Sequence, residues 1–146
     1  MGYLDSELVL AAAQAATDHT TDTPSTNVYD SGLTNADIAL TSENLWIQAY
    51  VNTAATSGGA GTMQAVLQDS ADNVTFVDVL AGPVLALAAL IVGAALLRVQ
   101  PPAGIRRYFR IAWRIGTADL TAGKFDAYVS NTVQLNGAKP SGFSVA

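Results

Sequence analysis

Few side chains in this sequence have the type and spacing to perform chemistry. His19 is the single histidine, one residue after Asp18 and three before Asp22, and one imidazole with two carboxylates is a partial donor set for a divalent metal. A metal site needs three or four ligands fixed on a rigid element. These three stand in a Thr, Asp, Ser and Pro stretch, residues 17–26, which is too poor in apolar residues to order itself. A solvated loop histidine and no metal are therefore expected. Covalent catalysis has no better start: there is no cysteine, the carboxylates are scattered, and no Ser/Asp pair accompanies His19. Ser57-Gly58-Gly59-Ala60-Gly61 lacks the Gly-Lys-Ser/Thr of a phosphate loop and any βαβ surroundings. The expectation is a protein that is not an enzyme and carries no cofactor.

Two sets of residues suit binding instead. Trp46 and Tyr50 alternate with aliphatic residues, and an aromatic pair so spaced on a strand can stack a sugar ring, pack under a loop, or meet another subunit. No third aromatic completes a sugar platform. Arg106, Arg110 and Arg114 recur every fourth residue, which on a strand places neighbours about 13 Å apart on one face. Their planar guanidiniums suit a row of contacts to acidic loops of a partner. The simpler reading has them solvated or paired across strands, for example with Asp126.

The element that must carry the arginines follows Pro101-Pro102-Ala103-Gly104. Ile105, Phe109, Ile111, Trp113 and Ile115 fall on one side of a period-two pattern, with Arg106, Tyr108, Arg110, Ala112 and Arg114 on the other, so this is a strand at the centre of a core. Further alternation marks a strand at residues 45–52, with Leu45, Ile47, Ala49 and Val51 on its aliphatic face. A hairpin follows, its strands at residues 62–68 and 74–80 joined by the turn cluster Asp69-Ser70-Ala71-Asp72-Asn73. A last strand spans residues 124–133, with Phe125, Ala127, Val129 and Val133 on one face. A short strand ending in a turn is expected over residues 27–32, whereas residues 8–16 fit a short helix or an extended arm equally well.

Residues 79–97 carry no charge and must be tested as a membrane span. Gly82-Pro83 punctuates the run, and what remains would make a helix of about 21 Å against a hydrocarbon core of about 30 Å. Buried strands interrupted near Gly93 are expected, and no membrane. The acidic start, Met1 to Glu7, lacks the positive charge of a secretory signal.

At 146 residues the chain is one domain by length and large enough to bury a real core. Absence of cysteine fits folding in a reducing cytoplasm. The net charge of −5 argues against nucleic acid as a partner. It also hides a division: residues 1–97 contain ten acids and no Lys or Arg, while residues 98–146 contain all seven basic residues and two acids. Such polarity suits contacts between acidic and basic surfaces of neighbouring molecules, unless the halves interleave and neutralise each other within one sandwich.

Three stretches together carry a resemblance. Ser25-Thr26-Asn27-Val28-Tyr29-Asp30-Ser31-Gly32 comes first, then Leu67-Gln68-Asp69-Ser70 with Asp72-Asn73. The third is Pro101-Pro102-Ala103-Gly104 with Arg107-Tyr108-Phe109-Arg110, followed by Thr121-Ala122-Gly123 and Asp126-Ala127. In order and spacing they resemble the capsid cement, or decoration, proteins of tailed bacteriophages, the Bordetella-phage cement type. The resemblance implies an all-β fold, a single jelly-roll-like β-sandwich over residues 25–135 with an irregular N-terminal arm (1–24) and a C-terminal tail (136–146). It implies a structural virion protein on the outer surface of an icosahedral capsid, assembled in the host bacterial cytoplasm. Its partners would be the major capsid protein and copies of itself, as a dimer or trimer, with Arg106, Arg110, Arg114, Trp46 and Tyr50 as candidate contacts. A carbohydrate-binding sandwich and a tail or fibre adaptor are the alternatives.

Overall fold

The structure, a computed structural model, describes residues 8–32 and 45–131. Its strands are β1 (Val9–Ala15), β2 (Thr23–Pro24), β3 (Tyr29–Asp30), β4 (Trp46–Ser57), β5 (Thr62–Ser70), β6 (Val77–Ala81), β7 (Leu85–Ala86), β8 (Ala95–Val99), β9 (Tyr108–Gly116) and β10 (Leu120–Ser130). One sheet has the order β1-β10-β4-β8; the other has β2-β9-β5-β6, with β3 also on β9 and β7 also on β5. Every pairing is antiparallel. The protein is an all-β sandwich, as the alternation predicts.

The core lies where the period-two patterns put it. Phe109, Ile111, Trp113 and Ile115 of β9 are buried together with Ile105 before it, and opposite them lie Ile47, Ala49 and Val51 of β4 and Phe125, Ala127 and Val129 of β10. Trp113 and Phe125 meet across the sheets with ring centroids 5.4 Å apart. Val133, expected on the same face as Phe125, lies outside the described residues.

Residues 8–16 take the extended one of the two expected forms, and residues 17–26 differ from expectation. The alanine-rich stretch is strand β1, because β10 offers it a ladder: Val9 faces Tyr128 and Ala15 faces Lys124. Two register shifts interrupt that ladder, and within the second, between Ala11 and Gln14, Ala13 has φ 46°, the left-handed region that a residue with a Cβ enters at a cost of about 1–2 kcal/mol. The Asp126 carboxylate holds this bulge by accepting the Ala13 N–H at 2.6 Å. Ala13→Gly is therefore expected to stabilise the fold by roughly 0.5–1 kcal/mol, the gain being reduced by glycine's greater unfolded-state entropy. A urea midpoint that falls instead would show that β1 does not bulge there.

Residues 17–26 form no free linker. They cross from one sheet to the other, with Leu120 N donating to Thr17 O at 3.0 Å and Ser25 N to Ile111 O at 2.7 Å. The boundary placed after residue 24 thus falls at the end of a strand of the sandwich.

Strand β4 runs past residue 52 to Ser57 because β10 continues beside it, with Ala122 opposite Thr56 and Leu120 opposite Ser57. The expected glycine loop shrinks to residues 58–61. Strand β6 begins later than residue 74, because the Asp72 carboxylate accepts the N–H groups of Val74 at 2.9 Å and Thr75 at 2.8 Å and keeps the chain in a turn. These bonds favour the ionised form and hold the Asp72 carboxyl at about 2, below its ordinary 3.8. A depressed carboxyl stabilises the fold fully above the unfolded value and loses that contribution as pH falls toward the folded one. Urea midpoints measured from pH 5 down to pH 2 should therefore fall less steeply for Asp72→Asn than for the natural chain.

Residues 79–97 were expected as buried strands; the structure instead leaves most of them at the surface. Only Leu90, Leu96 and Leu97 are buried among them. The reason is sheet order: β6 edges one sheet and β8 edges the other, so the connection between them runs along the open side of the sandwich. It passes through β7, a 3-10 turn at Leu87–Ala89 and Gly93 at φ 82°. Gly82 marks the closest approach of the two edges, since a Cβ there would lie 2.5 Å from the Leu96 carbonyl oxygen. No helix among the described residues is long and apolar enough to cross a membrane.

Candidate interaction surfaces

The outer face of β9 carries Arg110 and Arg114, Arg106 precedes the strand, and each of the three is held within the chain. Asp69, 5% exposed, accepts the Arg106 backbone N–H and its Nε, both at 2.9 Å. Arg110 lies over the Phe76 ring at 3.8 Å and donates from Nε to Gln68 Oε1 at 3.0 Å, while burial lowers its pKa. Arg114 bridges Asp22 at 2.6 Å and Asp78 at 2.8 Å, and these bonds raise its pKa above its ordinary value. Arg107 forms a further pair with Asp30 at 2.7 Å. Asp126, suggested by the sequence as a partner for the row, serves Ala13 and Asn52 instead.

The acidic and basic parts of the sequence therefore interleave. β9 is basic and sits between β2 and β3 on one side and β5 and β6 on the other, so acids from distant segments reach its arginines. Pairing does not hide the row: the side chains of Arg106 and Arg114 are each 38% exposed. It holds Arg106 beside Asp69 and Arg114 beside Asp22 and Asp78.

On the outer face of the other sheet the expected aromatic pair is divided. Trp46 is half-buried, but Tyr50 is 1% exposed and cannot present a ring to a ligand. It stacks on Tyr128 with centroids 5.9 Å apart and donates from its hydroxyl to Gln48 Oε1 at 2.7 Å. Gln48 Nε2 donates in turn to Ser130 Oγ at 2.5 Å, and Arg98 lies 5.3 Å from the Tyr50 ring centroid. Burial raises the pKa of both phenols, that of Tyr128 to about 12. A buried polar cluster of this kind fixes strand neighbours. The alternation of residues 45–52 showed an aromatic-amide face; that the face is covered was not visible in it.

His19 finds a different carboxylate from the one sequence proximity suggests. Asp22 is taken by Arg114, and Asp119, from the turn between β9 and β10, accepts the His19 backbone N–H at 2.8 Å and contacts Nδ1 at 2.5 Å. The donor atoms of Asp18, His19 and Asp119 lie within 4.8 Å of one another, all exposed. This is the group of described residues with the spacing for a divalent ion. Its oxygens are already engaged: Asp18 Oδ1 accepts from the Thr20 N–H at 2.7 Å and its hydroxyl at 2.6 Å. Hydrogen bonds from Thr20 lower the Asp18 pKa and those from His19 lower that of Asp119. The arrangement staples residues 17–22 to the β9–β10 turn.

The glycine loop also has a packing reason. A Cβ on Gly61 would lie 2.8 Å from Leu120 Cδ2 and 3.0 Å from the Ala118 oxygen, so its glycine admits the neighbouring turn.

The third surface is the flank formed by the edges β6 and β8. A groove of about 490 Å³ lies between Leu80, Ala81, Gly82, Pro83 and the strand Ala95–Val99. The exposed large hydrophobic residues among those described are Val74, in the β5–β6 turn, and Val77, Val79, Val84, Ile91 and Val92, in the segment that builds this side. Sequence reasoning missed the surface because a charge-free run reads as core.

No curated protein matches the sequence. Residues 10–129, the whole of the two-sheet body apart from its outermost residues, match the Bbp16 family, and the chain belongs to that family, a Bordetella-phage type consistent with a protein of the virion.

Proposed function

We propose that this chain is a capsid cement protein, which binds the outer surface of an icosahedral phage shell and bridges neighbouring major capsid proteins without covalent links. The observation that carries this reading is the match to a Bordetella-phage family over nearly the whole sandwich. The mechanism is avidity: each copy makes modest contacts to two or more shell subunits, and many copies together resist expansion of the shell. Arg110 and Arg114, oriented on the outer face of β9, are suited to acidic shell loops. The glycan-binding reading lacks its platform, since Tyr50 is buried.

Sedimentation of the purified chain with undecorated phage capsids, followed by heating of the bound shells, tests the reading. Saturable co-sedimentation with a raised disruption temperature is expected. A chain that is folded by circular dichroism yet binds no shell would overturn it and favour a tail or fibre adaptor. If Arg110→Gln with Arg114→Gln binds as tightly as the natural chain at low and high salt, the arginine face is not the contact.

A further inference from the structure

We infer that Asp18, His19 and Asp119 form a site for a divalent transition ion of the zinc type, which locks residues 17–22 to the turn between β9 and β10. The inference stands whether or not the chain binds a shell. The sequence offers His19 and two nearby carboxylates in a stretch too polar to order itself, and the structure removes that objection. Leu120 N donates to Thr17 O at 3.0 Å, so the two segments that carry the donors are joined by a backbone bond immediately beside them. Asp22 is held by Arg114, and Asp119 takes its place: it accepts the His19 backbone N–H at 2.8 Å and contacts Nδ1 at 2.5 Å. The three donor atoms lie within 4.8 Å of one another.

The donor types select the class of ion. One imidazole nitrogen with two carboxylate oxygens suits zinc and its neighbours, whereas magnesium and calcium favour oxygen alone. Zinc bonds of about 2.0–2.2 Å set tetrahedral donors roughly 3.3 Å apart. Nδ1 and Oδ1 therefore need to separate by less than about 1 Å to admit the ion, on side chains that are 41% and 62% exposed. The bonds from Thr20 and Thr21 to Asp18 do not compete with it. A carboxylate oxygen carries two lone pairs, and hydrogen bonds behind a ligating carboxylate orient it toward its metal. Water completes the fourth position.

Charge is an independent observation. Asp22, Asp30, Asp69 and Asp78 each meet an arginine, but among the described residues the one salt-bridge partner of Asp119 is His19, and Asp18 is held by threonines. Two carboxylates this close repel each other, and a doubly charged cation between them is the largest relief that repulsion can find.

Titration calorimetry with zinc chloride on the full, untagged chain in neutral buffer tests the inference. His19 is the only histidine and there is no cysteine, so no second imidazole or thiolate competes for the ion. Saturable binding of one ion per chain is expected, with the His19 ring resonances shifting in step with occupancy and the urea midpoint rising as zinc is added. His19→Ala and Asp119→Asn should each weaken binding at least tenfold, in chains whose folding circular dichroism checks. Magnesium at the same concentration should leave both the ring resonances and the zinc isotherm unchanged. No zinc binding below about 1 mM, or binding that survives His19→Ala, would overturn the inference, the second result showing an acidic patch that attracts any cation. Should Asp119→Asn fail to fold, His19→Ala decides alone, since its ring is exposed.

Discussion

Replacing Trp113 with alanine is expected to cost about 3–5 kcal/mol of folding stability, enough to consume much of the roughly 5–15 kcal/mol that holds a domain of this kind. The side chain is fully buried on the inner face of β9. It packs against Phe125 of the facing sheet, and its Nε1 donates to Gln14 Oε1 at 3.1 Å, tying β9 to β1. Removing it opens a cavity where the two layers touch, and the Gln14 amide, which also accepts the Thr26 N–H and donates to the Pro24 oxygen, loses one donor. Urea unfolding followed by circular dichroism measures the change. Trp113→Phe keeps most of the packing and should lose appreciably less; equal losses for both variants would mean that the hydrogen bond, and not the volume, is what matters.

The second large effect is expected at Asp69 and Arg106. Asp69 is 5% exposed, and apart from the Arg106 guanidinium its carboxylate accepts the backbone N–H of Arg106. Arg106→Ala leaves an almost buried anion with one donor. Breaking a fully buried pair costs about 3–5 kcal/mol, and with Arg106 38% exposed a loss of about 2–3 kcal/mol is expected. The double substitution Asp69→Leu with Arg106→Met removes both charges and should recover much of that loss. A double-mutant cycle in urea reads the coupling directly. If the double variant is as unstable as the single one, the loss at Arg106→Ala is one of packing around its aliphatic stem.

Much of the sandwich was legible in the sequence because the large apolar residues of β9 and β10 alternate along one face. Ile105 to Ile115 and Phe125 to Val129 announced both the strand and its inward side, since a period of two is rarely produced by anything else. Residues 8–16 were ambiguous for a physical reason: an alanine-rich segment has little preference of its own, and β10 decides its shape. The run 79–97 misled because hydropathy reports what a segment could bury, and position in a sheet reports what it does bury. Arg110 and Arg114 fall on β9 as the spacing suggested while Arg106 precedes it, but the partners of the row were not legible. Asp22, Asp69 and Asp78 are 92, 37 and 36 positions from the residues they bind, and pairing at that range follows from strand order, which alternation does not specify.

Strand order also has a consequence for how the protein is made. Among the described residues β5 and β6 are the one pair of full-length consecutive strands that lie side by side; β1 must wait for β10, β4 for β8 and β10, and β2 for β9. Few native contacts are local, and folds of this kind close slowly. During synthesis the first strand can find its neighbour only when about 130 residues have left the ribosome, so the aliphatic faces of β4 and β5 stay uncovered for most of that time. The last described strand is the one that completes the first sheet, so that sheet can close only when β10 arrives.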